Sequence, residues 1–105
     1  MSKLTHLTVS QIGQVARLAE KALNGRASKD LEAFTDYVET LPREAAVELI
    51  AVMYHGRDDP WPYIVSHCDK NFSDNTRIAE QMIGKTPLIE YLMKGLARLT
   101  LDEQP

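Results

Sequence analysis

The chain has one cysteine, Cys68, so no disulfide can form within it and none is expected to hold the fold together. It has no run of 18 apolar residues, which removes a membrane-spanning helix from consideration. Its first residues, Met-Ser-Lys-Leu-Thr-His, lack the apolar centre of a secretion signal, and a reducing, cytoplasmic setting is expected. Basic clusters are also missing: no five-residue window carries enough Lys and Arg to begin displacing counterions from phosphates, which disfavours direct nucleic-acid binding. No stretch alternates apolar and polar residues for long, so strands are not expected. The sequence also lacks internal repeats and low-complexity tracts.

What is present is an ordinary globular composition, 44% apolar and 26% charged, in a chain of 105 residues that fits a single domain. The net charge of −3 is unevenly spread. Between Lys29 and Arg57 the three basic residues face six acidic ones, Asp30, Glu32, Asp36, Glu39, Glu44 and Glu48, with Asp58 and Asp59 just beyond. The middle of the protein is acidic.

The rest of the chain is organised around Leu41 to Gly56. Pro42 suits the first helical position, where its missing N–H costs nothing, and Gly56 suits a left-handed stop. Within this helix Arg43, Glu44 and Glu48 are expected to face water, but Leu49 to Tyr54 is unbroken apolar sequence. At 100° per residue such a run covers the whole circumference, so this part must be enclosed by other elements.

Upstream, Val9, Ile12, Ala16, Ala19 and Leu23 recur in steps of three and four, with Gln14, Arg17 and Lys21 opposite. Thr8 and Gln11 form the pattern of a capping box, and Asn24-Gly25 is a stop. Ser28 is the expected cap of a second helix that turns Leu31, Phe34, Val38 and Leu41 inward.

Downstream, the helix after Gly56 begins between residues 60 and 62, with Asp59 as its candidate cap. Ile64, Val65, Cys68 and Phe72 share a face. Ser73 is the expected cap of a fifth helix with Ile78, Met82 and Ile83 inward. Gly84 ends it, and Thr86-Pro87 opens a sixth with Leu88, Leu92, Leu96 and Leu99 buried. Glu90, Lys94 and Arg98 stand opposite. The expectation is an all-α fold: one bundle of five to six short helices around a buried helix at about residues 42–55, with loose ends at about 1–7 and 101–105.

Two segments resemble a known family. They are Leu49-Ile50-Ala51-Val52-Met53-Tyr54-His55-Gly56-Arg57, followed shortly by Trp61, and Thr86-Pro87-Leu88-Ile89-Glu90-Tyr91-Leu92-Met93-Lys94-Gly95-Leu96. Together they are similar to a small proteobacterial domain-of-unknown-function family, whose pattern reads Glu-Leu-x-Ala-Leu-Met-Trp-x-Gly-Arg-Gly, a variable helix, then Thr-Pro-Leu-x-x-Tyr-Leu-x-x-Gly-Leu. The likeness spans roughly residues 39 to 98. Tyr54 stands at the Trp position and Asp58 at a Gly or Asp position. The resemblance implies a bacterial, cytosolic, helical protein and assigns no activity, so it carries no functional residue over to this chain.

Candidate chemistry is sparse. Gly84-Lys85-Thr86 looks like the end of a phosphate-binding loop, but position 79, where the pattern needs glycine, is Ala79, and a helix stands where the strand should be. His67-Cys68-Asp69 lists thiol-protease residue types, yet helical neighbours point 100° apart and Cys68 shares an apolar face. His55, Asp58, Asp59 and His67 are the one set that can gather around a metal or serve a small enzyme, although their spacing matches no ligand signature. Trp61-Pro62-Tyr63 places aromatics beside charges in irregular sequence. There Trp61 either folds back over the central helix near Tyr54 or, with Arg57, Asp58, Asp59 and Tyr63, forms an interaction surface.

The reading that follows is a non-catalytic protein–protein interaction module, homodimeric in one version, with no cofactor, no metal and no catalytic residue assigned. An enzyme or metal-binding protein using His55, Asp58, Asp59 and His67 is the first alternative. A nucleic-acid-associated regulator is the second, using the helix pair 73–98 with Arg77, Lys85, Lys94 and Arg98.

Overall fold

Nine consecutive residues, Ala45 to Met53, are buried on a single helix, Glu48 among them. The computed structural model describes residues 4–25, 27–84 and 87–102, with Leu101 and Asp102 described through their backbone alone. Among these residues six α-helices follow one another and no strand occurs: α1 (Val9–Gly25), α2 (Ser28–Thr40), α3 (Arg43–His55), α4 (Trp61–Asn71), α5 (Asn75–Ile83) and α6 (Leu88–Asp102). The fold is all-α, a bundle 43 × 25 × 21 Å across. At its centre α3 packs against α4, α5 and α6, while α1 lies on α2 and α6 and α2 lies on α5. Leu49, Ile50 and Met53 are fully enclosed, each worth about 1.5–3 kcal/mol of transfer free energy. Tyr54 is half-buried; its hydroxyl accepts from Gln81 Nε2 at 3.0 Å and its ring lies under the Arg57 guanidinium.

Gly56 does not stop α3 in a left-handed conformation. Its φ of −65° and ψ of −18° are right-handed, and the left-handed residue is Asp58, with φ 80°. Asp58 N–H donates to His55 O and Asp59 N–H to Tyr54 O, the hydrogen-bond pattern of a Schellman ending. Asp58 is the left-handed residue of that motif. Gly56 is required for another reason. A Cβ there would lie 2.0 Å from Tyr91 O of α6, and one on Gly95 would lie 2.0 Å from Val52 O of α3. Val52 and Gly56 are one turn apart, as are Tyr91 and Gly95, and the crossed pairing shows that α3 and α6 run antiparallel with their backbones in contact. The two segments that carry the family resemblance meet at this crossing.

The helix ends show how local sequence sets boundaries. The Thr8–Gln11 capping box forms, Thr8 N–H donating to Gln11 Oε1 at 2.9 Å and Gln11 N–H to Thr8 Oγ1 at 3.1 Å. Ser28 and Ser73 do not cap. Ser28 is the first residue of α2, preceded by Ala27, and Asp74 caps α5 by accepting from Arg77 N–H at 2.9 Å. Asp59 does not cap α4 either, since Pro60 is the N-cap and Pro62 sits in the first turn, where it needs no N–H partner. Pro42 precedes α3 as its N-cap.

Other details depart from the sequence pattern. In α1 the buried residues are Ile12, Val15, Ala19 and Ala22, while Val9 is exposed. The steps of three and four continue equally well through Val15 and Ala22 as through Ala16 and Leu23, and packing on α2 and α6 selects the former. Phe72 lies just past the end of α4, half-buried, and Gly95 takes a place in the buried stripe of α6 beside Leu88, Leu92 and Leu99. Residues 101 and 102, expected in a loose tail, belong to α6. Residues 5–7 are also tied down: Leu7 is buried and all three donate backbone N–H groups to Glu48.

Candidate functional site

The C-terminal end of α3 gathers most of the polar residues singled out above, and the fold uses them structurally. His55 is enclosed and its ring meets Trp61 edge-on, centroids 5.6 Å apart. His55 Nδ1 lies 2.7 Å from Asp59 O; a carbonyl can only accept, so Nδ1 carries the proton. His55 Nε2 is buried without a partner. Arg98 of α6 donates to His55 O at 3.1 Å and pairs with the Asp58 carboxylate, tying the left-handed turn to the last helix. His67 is elsewhere, stacked on Tyr63 along the outer side of α4 at 5.7 Å. Among the described residues no three His, Cys, Asp or Glu side chains are placed to hold a metal. The set His55, Asp58, Asp59 and His67 is therefore not brought together around one point.

Trp61 is 8% exposed, folded against His55 and so withdrawn from the candidate interaction surface. Tyr63, at 59% exposure, and Arg57 and Asp58 remain at the surface, with Asp59 half-buried. Cys68 is buried, and burial, aided by the charge of Asp59, pushes its thiol up to about 12, which leaves it inert as a nucleophile. Of the cations on 73–98, Arg77 is exposed, Lys94 pairs with Glu90 at 3.3 Å, and Arg98 is held by Asp58. Lys85 and Thr86, and with them all but the first residue of the loop-like Gly84-Lys85-Thr86, lie outside the described residues; Gly84 is the C-cap of α5.

A different place combines a cavity with charge. Glu48 was expected to face water; instead residues 5–7 cross this flank of α3 and close over its carboxylate. It accepts from the N–H groups of Thr5 at 3.1 Å, His6 at 2.9 Å and Leu7 at 3.0 Å, and from the Thr5 hydroxyl at 2.6 Å. His6 Nδ1 lies 3.2 Å away. Burial by itself would raise the carboxyl pKa, but the hydrogen bonds from Thr5 and His6 outweigh it and hold the pKa below the ordinary 4.5.

Beside this clasp, between residues 5–6, α3 and α4, is a cavity of about 340 Å³. Val47, Pro62 and Val65 supply its apolar lining, and Glu44, Ser66 and Asp69 its polar one, with Glu48 behind. Among the described residues no Lys or Arg lines it, and His6 does. Arg43 reaches Asp69 from outside, donating to the main-chain oxygen at 2.9 Å with the carboxylate 3.6 Å away.

Several of these lining residues figure separately in the sequence, Pro62, Val65 and Asp69 among them, but nothing there joins them into one site. A signal was nevertheless present: the helical neighbours of Glu48 at three and four positions include Ala45, Ala51 and Val52, all apolar, which is an unusual setting for a solvated carboxylate. Compared with known proteins, the chain matches no family model, no curated protein and no solved structure.

Proposed function

We propose that the chain is a non-catalytic, cytosolic protein–protein interaction module whose docking surface is the groove between residues 5–6, α3 and α4. The observation that supports this reading is the groove's composition: apolar side chains from two helices, flanked by carboxylates, in a space of about 340 Å³. That is the low end of the range for small-molecule pockets and suits a protruding side chain of another protein. The exposed Tyr63 on the adjacent side of α4 extends the apolar surface available to a partner. The cytosolic setting rests on the lone thiol; among the described residues no helix is long and apolar enough to cross a membrane. The bacterial origin implied by the family resemblance is part of the same proposal.

Ser66 lines the groove and is exposed, and because Cys68 is buried, a Ser66→Cys variant offers one accessible thiol for a photo-crosslinker. The expected result is a discrete crosslinked protein in extracts of the native cells, competed away by unlabelled chain and missing when the label is placed at Glu32→Cys on α2. Identical products from both positions, or none, overturn the reading. Sedimentation equilibrium separates a second copy of the chain from a foreign partner.

A further inference from the structure

We propose that the occupant of this groove is a cationic segment of a partner protein, which inserts one lysine or arginine side chain with its aliphatic stem against Val47, Pro62 and Val65 and its charged head between Glu44 and Asp69. The inference rests on the interaction reading above and specifies its partner.

Shape and charge both point this way. Long basic side chains cover apolar surface with their methylenes while the head stays among polar groups, and the groove is lined by both kinds of group. Carboxylates dominate its charge. Glu44, Glu48 and Asp69 all line it, among the described residues no Lys or Arg does, the lining His6 is turned to Glu48, and the surrounding sequence from Lys29 to Arg57 is acidic two to one.

The three carboxylates are not equivalent. Glu48 is satisfied by the residues that clasp it, so it contributes a fixed negative field and not a free contact. Asp69 is 67% exposed and holds Arg43 only at 3.6 Å through one oxygen, while among the described residues Glu44 has no ionic or hydrogen-bonding partner. Two carboxylates are thus available to a bidentate or bridging cation, Arg being better matched than Lys to planar pairing. An anionic segment is disfavoured because the nearby N–H groups of residues 5–7 are already occupied by Glu48 and the remaining lining repels it.

The test uses the full chain, ¹⁵N-labelled, titrated with an acetylated and amidated decapeptide alternating Lys and Ala, and with the corresponding Glu/Ala peptide. Amide shifts are expected to concentrate in residues 5–6, 44–48 and 62–69 for the Lys peptide alone and to diminish as salt is raised. Glu44→Gln combined with Asp69→Asn, both at exposed positions, is expected to weaken binding roughly fivefold, as loss of two surface ion pairs does. Ser66→Trp, which fills the groove, is expected to abolish it. Shifts of equal size around Glu32, Asp36 and Glu39 on α2, or affinity unchanged in the double variant, overturn the assignment. If position 66 still crosslinks a partner whose capture the double variant does not alter, the interaction reading stands and the cationic occupant alone is rejected.

Discussion

The main-chain oxygen of Val52 in α3 occupies the space that a Cβ on Gly95 of α6 would need, 2.0 Å from its ideal position, and Tyr91 O stands in the same relation to Gly56. Both obstacles are backbone, so no change of rotamer can make room. The two helices have to separate along their length before either glycine can be replaced.

Gly95→Ala and Gly56→Ala are accordingly expected to destabilise by about 3 kcal/mol or more, the upper range for overpacked cores. For a domain of this size that lowers Tm by roughly 12 °C or more. Gly13→Ala is the contrasting case: a Cβ there meets nothing within 4 Å inside α1, and removing a flexible residue from a helix is expected to stabilise by about 0.5–1 kcal/mol. Thermal unfolding followed by circular dichroism checks both signs.

Glu48 makes stability depend on acid. Its folded pKa is below the ordinary 4.5, so its contribution is complete above that value and is lost as pH falls through the lower folded one. Glu48→Gln replaces one accepting oxygen by an NH₂ group turned toward N–H donors and is expected to cost about 1.5–3 kcal/mol at pH 7. The gap between wild type and variant should narrow as melts are repeated from neutral pH to below 4. A constant gap would mean that the charge of the clasp contributes nothing.

Asn75 joins two distant helix ends. Its side-chain amide donates to Val38 O at 3.2 Å, which also accepts from Leu41 N–H, and to Leu41 O at 2.7 Å, adding donors where the helix leaves its last carbonyls short of them. Asn75→Ala is expected to cost about 1–2 kcal/mol in chemical denaturation. Amide exchange should accelerate in the last turn of α2 more than in α1.

Cys68 should be silent toward thiol reagents in the native state. With the thiol buried and its pKa pushed up to about 12, the thiolate that such reagents consume is scarce and shielded. Ellman's reagent is expected to titrate one thiol after unfolding in guanidinium and almost none before. Rapid native reaction would place Cys68 at the surface.

Much of the architecture was legible because it rests on periodicity and chain punctuation. The apolar run at 49–54 located the enclosed helix, and Pro42, Gly56, Gly84 and Pro87 divided the chain close to the observed boundaries. Single-residue roles were less legible, since they depend on what lies across the core. Gly56 marked the right place for a different reason: the left-handed turn falls two residues later, on Asp58, and the glycine is set by the closeness of α6. Glu48 read as a wet residue because its apolar helical neighbours were outweighed by Arg43 and Glu44, and the segment that covers it lies more than 40 positions earlier in the chain. The groove followed the same logic, assembled from residues 5–6, α3 and α4, whose faces sequence periodicity cannot pair. The cap of α5 fell one residue late because Ser73 and Asp74 have similar capping propensity, whereas α2 starts at Ser28 itself behind Ala27, which offers no side-chain cap.

The bond from Asn75 to the end of α2 also orders events during synthesis. When α1 and α2 leave the ribosome they can pair locally as a hairpin, and Val38 O already has Leu41 N–H as a donor, but the carbonyl of Leu41 must wait for a side chain more than 30 residues downstream. Until translation has passed α4, the far end of the second helix lacks the amide that closes it in the finished fold.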